Sequence, residues 1–451
     1  MHLRKELNRW AYAIILFFTA NTYFFNYKFP AFKFFILPLC LAFIALQIFP
    51  YFTYEKIRLH SRRLTHLSYG NELLIIFLIS LFFSVLLCIY TLYETYHGRM
   101  FDTYKRYIPY VIIDTIFLGI TFWNGIIRVY ITGQQLRIKI RVWGIICGMI
   151  PVAHLIMLFI ILSKTIYEVK IEDAKIVVNQ ARKDQQICKT KYPILLIHGV
   201  FFRDSKYFNY WGRIPKELTN NGAQVFYGSQ ESAASIEICG KQIAKRIKEI
   251  MEETGAQKVN IIAHSKGGLD SRQAICFEGM DKHVASLTTI CTPHRGCIYP
   301  EKLLNKFSDK MKERISETYN KTFRKIGDKN PDFLSAVSCL TKDYCEDFNK
   351  KAIDSPLVYY ASVGAKMKTA FSGHFPLTFS YPIVKRYDGP NDGLVAEKEW
   401  QWGSSQTFLT APHLRGITHG DMIDLKRENI RDFDIREFYV QLVSNLREKG
   451  F

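Results

Sequence analysis

Hydrophobic positions are distributed unevenly along the 451 residues of the chain. Each apolar stretch in the first third is close to the roughly 20 residues that a helix needs to cross a bilayer. A cleavable signal peptide would be one shorter apolar run before a small-residue site, but here the stretches keep recurring. A single stretch also fits a buried core helix, and Asn21 interrupts the first one. The pattern predicts an all-α transmembrane region of about five helices within residues 1–165, at 10–27, 31–52, 72–92, 108–127 and 143–163.

From about residue 166 the pattern changes to short apolar strands that alternate with amphipathic helices. Residues 233–254 carry isoleucines on one helical face and are followed by Gly255, where a helix end favours glycine. Such alternation is typical of a mostly parallel sheet with helices on both faces. We therefore predict an α/β domain at 191–451 after a linker at 166–190. Its strands are expected at 192–199 (YPILLIHG), 259–265 (VNIIAHS), 284–292 (VASLTTICT) and 357–364 (LVYYASVG).

The net charge of +19 suggests nucleic acid as a partner until its distribution is considered. Residues 1–165 contain 17 Lys or Arg and 6 Asp or Glu, so +11 of the surplus accompanies the apolar stretches. The remaining surplus interleaves both signs, which is typical of a solvated face with some attraction to anionic lipid head groups. We therefore expect no nucleic-acid partner.

Basic residues also predict an orientation, because Lys and Arg next to membrane spans tend to stay in the cytoplasm. They cluster at the N-terminus and in the loops after the second and fourth stretches, as Arg4, Lys5, Arg9, Lys56, Arg58, Arg62, Arg63, Arg128, Arg137, Lys139 and Arg141. A multi-pass protein with five spans and a cytoplasmic N-terminus would carry residues 191–451 on the extracytoplasmic side.

The segment VNIIAHSKGG at 259–268 is typical of a strand that runs into a nucleophilic serine. A serine displayed on a sharp strand-to-helix turn needs small neighbours two positions away on either side. Ala263 and Gly267 provide them, although Ala263 stands where the usual G-x-S-x-G pattern has a glycine. The alternative is an ordinary helix start with Ser265 as the N-cap.

A serine nucleophile needs a base and a carboxylate that orients the base. In α/β-hydrolases these follow the serine in the order acid, then histidine, and Asp392 in GPNDGLV and His419 in THGDMIDL satisfy that order. The Asn-Asp-Gly sequence around Asp392 is also typical of an ordinary turn. Spacing alone does not exclude other members of a triad, namely His374, His413 and Asp388.

Two backbone amides are placed to stabilise an oxyanion. The first strand ends at His198 and Gly199, so the amide of Val200 is expected above Ser265, and Lys266 follows the serine directly. Backbone donors need no particular side chain, which explains why Val and Lys are acceptable there. The alternative for the first of these is a tight strand exit.

With IHGVFF, YFNYWGRIPKELTNNGAQVFY, AHSKGG, TPHRG, NDGLV and the late HGD, residues 190–425 resemble the bacterial true-lipase family of Pseudomonas and Burkholderia. The resemblance implies an α/β-hydrolase fold and a triacylglycerol lipase or related carboxylesterase. It implies Ser265 as the nucleophile, Asp392 as the acid, His419 as the base, and Val200 and Lys266 as the oxyanion donors.

The resemblance also raises the question of a metal. Asp421, two residues after His419, matches a position that binds a structural calcium in that family, but no acidic residue stands at the expected place upstream of Asp392. A helix cap is the simpler interpretation of Asp421. No organic cofactor is required by this chemistry.

Residues 297–355 interrupt the strand order with about sixty residues that have apolar positions at helical spacing. In a lipase this is where a lid lies, and the alternative is a packed helical insertion that never opens. The apolar positions are Leu303, Leu304, Phe307, Met311, Phe333, Leu334, Val337 and Leu340.

These observations together predict a membrane-anchored serine lipase or carboxylesterase that hydrolyses ester bonds of lipids such as triacylglycerols. The expected partners are a lipid or acyl-ester substrate and the bilayer. An esterase or acyltransferase acting on a non-glyceride acyl group would use the same residues. A membrane receptor that keeps the hydrolase fold only as a binding module is an alternative of another class.

Overall fold

The computed structural model describes residues 2–48, 59–101, 104–200, 209–304, 306, 308–412 and 415–451. The chain forms two compact units, Met1–Gln180 and Ala181–Phe451. The first sixteen residues of the expected linker at 166–190 are helical and not a linker, because they belong to the helix Pro151–Ala181. No glycine or proline occurs between residues 152 and 181, so nothing in the sequence ends that helix earlier.

The first unit is helical throughout its regular elements. Within the described residues, four helices rather than the predicted five are long and apolar enough to cross a membrane: Pro30–Ile48, Arg62–Tyr96, Lys105–Thr132 and Val152–Ala181. The first predicted stretch is divided by a turn at Asn21. The helices are α1 (His2–Ala20), α2 (Thr22–Lys28), α3 (Lys33–Ile48), α4 (Arg62–Tyr96), α5 (Tyr104–Thr132), α6 (Ile138–Cys147) and α7 (Pro151–Ala181).

Helices α4 and α5 approach closely because both carry glycine at the contact. A Cβ on Gly70 would lie 2.8 Å from the Gly125 carbonyl oxygen, and a Cβ on Gly125 would lie 2.9 Å from Leu74. Near the break between α1 and α2, the buried Asn21 side chain donates to Ser84 Oγ over 2.8 Å and accepts from the Tyr110 hydroxyl over 2.8 Å. The polar residue that weakens the first apolar stretch is therefore hydrogen-bonded to neighbouring helices.

The second unit is built on one six-stranded sheet in which every neighbouring pair is parallel, in the order β2-β1-β3-β4-β5-β6. This confirms the predicted α/β class. Two strands were not predicted: β2 has only three residues, and β6 is partly exposed. The strands are β1 (Ile194–Ile197), β2 (Val225–Tyr227), β3 (Val259–His264), β4 (Val284–Ile290), β5 (Tyr359–Ala365) and β6 (Ser405–Leu409).

The two faces of the sheet contribute to two hydrophobic cores. Ile194 and Leu196 belong to one core, and Leu195 and Ile197 belong to the other, as the two-residue period of a strand requires. The first core includes side chains of α8 and α16, and the second includes side chains of α9 and α10. The helices of this unit are α8 (Ile214–Asn220), α9 (Ile236–Thr254), α10 (Lys266–Phe277), α11 (Ile298–Leu304), α12 (Asp309–Ile326), α13 (Phe333–Ser338), α14 (Lys342–Lys351), α15 (Leu377–Tyr387) and α16 (Ile435–Glu448).

The predicted insertion at 297–355 contains helices α11 to α14, between β4 and β5. Phe307, one of its predicted apolar positions, lies outside the described residues. Met311 is exposed, whereas Leu340 is partly buried and lines the cavity described below. That this insertion moves as a lid stays a prediction.

Candidate active site

Ser265 lies in the turn between β3 and α10 with a strained backbone. Its φ of 55° and ψ of −131° are rare for a residue with a side chain, and such strain is typical of functional sites. The Ser265 amide donates to the Ile290 carbonyl over 2.8 Å, and Thr292 Oγ1 donates to the Ser265 carbonyl over 2.7 Å. The last residue of β4, Ile290, and Thr292 just after it therefore fix the backbone of the serine through its amide and its carbonyl.

The small residues around this turn are required by close backbone contacts. A Cβ on Gly267 would lie 2.4 Å from the His198 carbonyl oxygen, and a Cβ on Gly268 would lie 2.2 Å from Thr292 Oγ1. On the facing loop, a Cβ on Gly199 would lie 2.8 Å from Ser265 Cβ. The same physical requirement for small residues was the basis of the sequence prediction.

Asp392 and His419 form a buried pair. The His419 Nδ1 atom lies 2.7 Å from Asp392 Oδ2, and the His419 amide donates to the Asp392 carbonyl over 2.8 Å. The other carboxylate oxygen accepts from the amides of Leu394 and Val395 at 2.9 and 2.8 Å. Because the carboxylate accepts a hydrogen bond from Nδ1–H, the Nε2 atom of the imidazole is left as the acceptor that a general base needs.

The alternative triad members have other environments. His374 is exposed, and its Nε2 atom lies 3.6 Å from Glu428 Oε2. Asp388 accepts from the amides of Ile298 and Tyr299, each over 3.0 Å, at the start of α11. His413 lies outside the described residues. Asp392 and His419 are therefore the pair that the structure brings together.

A cavity of about 360 Å³ contains Ser265 and His419 in its wall, together with Val200. Such a space, largely apolar with a few polar groups, is typical of a small-molecule site. It suits an acyl chain beside a reactive ester. The apolar side chains of its lining include those of Leu340, Phe375, Leu377, Leu394, Val395, Ile423 and Leu425.

The two expected oxyanion donors lie on either side of the serine in the fold. Lys266 begins α10, so its amide has no acceptor within the helix. The Gly199 amide donates to the Tyr210 hydroxyl over 3.1 Å, and the next amide, that of Val200, belongs to a residue of the cavity wall. Both positions are compatible with donation into the cavity.

The side chain of Lys266 has a second role that the sequence did not suggest. It is buried and its Nζ atom lies 2.5 Å from Asp270 Oδ1, one turn further along α10. Burial opposes the charge, but the Asp270 carboxylate outweighs it and raises the pKa of Lys266 above its ordinary value. The pair anchors the first turn of the helix that begins directly after Ser265.

Tyr210 and His264 are further residues that sequence reasoning missed. The Tyr210 hydroxyl lies 2.7 Å from His264 Nδ1, and the His264 and His419 ring centroids are 4.4 Å apart. Burial, and then the neighbouring His419, hold the pKa of His264 well below its ordinary value. A neutral His264 adds no positive charge beside the His419 ring. The His-Ser sequence was visible, but its pairing with a distant tyrosine was not.

Cys291 also lies close to the triad. Its Sγ atom, an Asp392 carboxylate oxygen and a His419 ring nitrogen lie within 4.8 Å of one another, and Cys291 has a positive φ of 48°. Burial, and then Asp392, raise the pKa of this thiol well above its ordinary value. The thiol is therefore a neutral neighbour of the Asp392 carboxylate.

The surroundings of Asp421 do not fit the calcium that the family resemblance suggested. One carboxylate oxygen accepts from Arg415 Nη2 over 3.0 Å and the other from the Thr418 amide over 2.9 Å. The same Arg415 atom lies 3.5 Å from Glu428 Oε2. A guanidinium thus already supplies positive charge beside Asp421, and a divalent cation there would meet like charge.

The chain is similar to known esterases and lipases. Residues 209–333 match the family described as "Putative serine esterase (DUF676)", a range that includes Ser265 and ends before Asp392. "Triacylglycerol lipase 2" of Saccharomyces cerevisiae is 29% identical over 271 residues, which are 55% of this chain and 78% of the yeast protein. A "Triacylglycerol lipase" of Burkholderia plantarii is 38% identical over 112 residues.

The bacterial match covers 24% of this chain and 31% of that lipase, so the chain spans about a third of it. Among solved structures, the mature Bacillus licheniformis lipase BlEst2 aligns with 56% of this chain and 92% of its own at 20% identity and a TM-score of 0.43. The parallel sheet and the sequence similarities identify the second unit as an α/β-hydrolase-fold serine hydrolase that is similar to triacylglycerol lipases.

Proposed function

We propose that the second unit hydrolyses carboxylic esters of lipids, with Ser265 as the nucleophile, His419 as the base and Asp392 as the orienting acid. The observation that carries this proposal is the Asp392 to His419 contact of 2.7 Å beside a cavity that also contains Ser265. The apolar cavity wall and the similarity to proteins named triacylglycerol lipases support a glyceride or similar acyl ester as substrate.

The reaction needs no organic cofactor. Ser265 Oγ attacks the ester carbonyl while His419 Nε2 takes its proton, and the amides of Val200 and Lys266 stabilise the oxyanion. The bond between the acyl carbon and the alcohol oxygen then breaks, and the leaving alcohol takes the proton from His419. Water, deprotonated by His419, attacks the acyl-enzyme and releases the fatty acid.

A fluorophosphonate probe tests the assignment directly. Wild-type protein in its folded state should form an adduct on Ser265, and Ser265→Ala should remove it. Ser271→Ala is a matched control, because that buried hydroxyl donates to the Gly267 carbonyl from the same helix. Folded wild-type protein without an adduct on Ser265 would rule out the catalytic proposal. Turnover of p-nitrophenyl esters of increasing length would then show whether long acyl chains are preferred.

We further propose that the first unit anchors the enzyme in a membrane. Four of its helices have the required length and apolarity. Large apolar side chains also cover its outer surface, as Phe34, Ile131 and Phe159 illustrate. A surface of this kind is unfavourable in water and suits hydrocarbon.

Two sets of contacts within the first unit bear on the side from which the chain leaves it. Arg9, in the first half of α1, pairs with Glu72, in the first third of α4, over 2.9 Å. At the opposite end, the Tyr27 hydroxyl of α2 donates to the Met100 carbonyl over 2.5 Å, next to the connection between α4 and α5. The N-terminus, the start of α4 and hence the end of α5 are thus at one end of the bundle.

Helix α7 begins beside the middle of α5 and runs toward that same end. The His154 and Phe122 rings have centroids 5.1 Å apart, whereas Glu168 accepts from the Gln135 amide over 2.9 Å, just past the end of α5. Arg63, at the start of α4, also pairs with Glu168. These contacts support an α6–α7 hairpin that enters and leaves on one side, so that α7, although long and apolar enough to span, does not add a further crossing.

We therefore propose that the second unit lies on the same side as the N-terminus, the cytoplasmic side by the distribution of Lys and Arg. The sequence-based expectation of an extracytoplasmic enzyme depended on five complete crossings. A reporter that works only in the cytoplasm should be active at the C-terminus and inactive when inserted after Arg99, at the opposite end. Inactivity at both positions would support the five-span arrangement instead.

A further inference from the structure

Three phenylalanines within residues 371–379, a segment that borders the cavity containing Ser265, are exposed to an unusual degree. Phe371, Phe375 and Phe379 are 90%, 78% and 67% exposed, and we call these three side chains the aromatic rim. The Phe375 and Phe379 rings have centroids 5.8 Å apart, and Phe375 also lines the cavity that contains Ser265. A contiguous apolar patch on a folded surface typically marks a binding site.

The backbone that carries the aromatic rim is well anchored. Beside Phe371, the Thr369 amide donates to Ser372 Oγ over 3.1 Å, and Ser372 is buried. Behind Phe379, the Tyr381 hydroxyl donates to the Lys368 carbonyl over 3.2 Å. Because the polar and buried groups of this segment are fixed inward, the phenylalanines are held outward.

Helix α15 continues the rim with a mixed face. Tyr381 and Val384 are buried, whereas Phe379, Pro382 and Arg386 are exposed at positions i, i+3 and i+7 of one helical stripe. An apolar stripe that ends in a cation is typical of helices that lie in a membrane interface.

Charge identifies the partner. Residues 368–387 contain three Lys or Arg and no Asp or Glu. A second copy of this chain would have to bring the same basic segment against itself, which like charges oppose, whereas anionic lipid head groups attract it. The apolar rim at the same place suits the acyl region beneath those head groups.

We propose that the aromatic rim inserts into the surface of a bilayer that carries anionic phospholipid, so that the cavity opens toward lipid. The proposal rests on the proposed ester hydrolysis and adds the surface through which substrate reaches Ser265. It assigns interfacial contact to residues 370–386, outside the insertion at 297–355 where a lid was expected.

Tryptophan quenching tests the insertion without any turnover. The full chain carrying Ser265→Ala and Phe379→Trp is reconstituted in phosphatidylcholine vesicles with brominated acyl chains, with and without phosphatidylserine. The added tryptophan should be quenched at least about twofold more when phosphatidylserine is present. Phe277→Trp in the same background is the control, because Phe277 is exposed but does not line the cavity.

Equal fluorescence of the tryptophan at 379 in vesicles with and without brominated acyl chains would overturn the proposal. A spectral shift at 379 that depends on protein concentration in detergent, without quenching in vesicles, would mean that a second copy covers the rim and would also overturn it. In an otherwise wild-type chain, Phe371→Ser with Phe379→Ser should lower by about tenfold the ratio of long-chain to short-chain ester turnover. Ile353→Ser, at another exposed apolar position, should not lower this ratio.

The two proposals fail differently. Absence of ester turnover and of a Ser265 adduct in wild-type protein would refute the proposed hydrolysis, while quenching at 379 would still support lipid contact. Ester turnover without quenching at 379 would leave the hydrolase assignment in place and refute the docking surface.

Discussion

The first unit exposes many large apolar side chains and keeps several polar side chains inside, whereas the second unit collects its apolar side chains on the two sides of a sheet. In the first unit the inner polar groups, such as Asn21 with Ser84 and Asn71 with Thr165, join one helix to another. In the second unit the polar groups at the carboxyl ends of β3 and β4 surround Ser265, the proposed nucleophile. Buried polarity therefore organises helices in one unit and chemistry in the other.

Two consequences can be tested separately. Changes to the polar groups of the active site should reduce turnover more than stability. Changes to the inner polar groups of the first unit should reduce stability more than turnover.

The largest effect is expected for Asp392→Asn. An amide in place of the carboxylate presents the wrong partner to His419 Nδ1, so the imidazole adopts a tautomer that cannot accept the serine proton. By analogy with serine hydrolases in general, kcat should fall about 10⁴-fold. Steady-state turnover of a short soluble ester measures this, and thermal unfolding of the same samples shows whether the fold is kept.

Asp388→Asn is the matched control. Asp388 was the alternative carboxylate, and in the structure it accepts from the first amides of α11. We expect its kcat to stay within about threefold of wild type, although a weakened helix cap costs about 1 kcal/mol of stability. A larger loss of turnover for Asp388→Asn than for Asp392→Asn would contradict the triad.

A second prediction concerns pH, and it arises in the second unit away from the triad. Burial raises the pKa of Glu399 to about 8, even though its Oε2 atom accepts from the Ala396 amide over 2.7 Å. Between the unfolded value near 4.5 and this value, the folded state binds more protons than the unfolded state. Stability is therefore fully present below about pH 4.5 and is lost as the pH rises through about 8, by on the order of 4 kcal/mol.

The thermal midpoint of the detergent-solubilised full chain, measured from pH 5 to 9, tests this sign. Glu399→Gln should flatten the decline, because a neutral amide has no proton to lose. Glu397→Gln is the neighbouring control, since that partly exposed carboxylate pairs with Lys366 at 3.3 Å. An equally steep decline in Glu399→Gln would show that another group controls the pH dependence.

The central strands of the second unit could be predicted because the pattern that marks each of them lies within a few consecutive residues. Strands β1, β3 and β4 are buried along their whole length, so they form continuous apolar runs. Strand β2, with three residues, and β6, which is partly exposed, give little pattern to detect. The helix through residue 181 was assigned to a linker because its apolar content falls after residue 163, although its helical signal does not.

The site could be predicted only at positions where the local structure restricts which residue type can stand there. Small residues around Ser265 follow from the turn itself, and the order of Asp392 and His419 follows from the fold. The contacts of Tyr210 with His264 and of Arg415 with Asp421 join segments whose pairing no local pattern specifies. The exposure of Phe371 and its neighbours likewise depends on which face of the segment packs, and that is a tertiary property.

The third prediction concerns the first unit. Glu168 is buried and accepts from the Gln134 and Gln135 amides and from Arg63. Glu168→Gln replaces an acceptor by a donor that opposes these donors, so it should lower stability by about 2–4 kcal/mol. Loss of the monodisperse peak on heating in detergent measures this, while the rate of fluorophosphonate labelling at low temperature should be unchanged.

Glu94→Gln is the control on the same kind of helix. Glu94 lies 3.3 Å from an exposed Arg99, and such a pair contributes less than about 1 kcal/mol. Equal destabilisation by both changes would mean that the ring of contacts around Glu168 is not what joins α4, α5 and α7. Loss of labelling in step with Glu168→Gln would contradict the separation of structure from chemistry.

The smallest effect is expected from metal removal. Because Arg415 supplies the positive charge beside Asp421, EDTA should leave ester turnover unchanged. Arg415→Gln removes that charge a few residues before His419. The His419 side chain should then be displaced slightly, and kcat should fall about fivefold. Lys426→Gln, an exposed cation of the cavity rim, is the control for loss of charge as such. Loss of turnover in EDTA that calcium alone restores would contradict this prediction. A metal ion, and not the Arg415 guanidinium, would then hold the loop that carries His419. The second unit would depend on that ion at the place where the structure has the ion pair of Arg415 with Asp421.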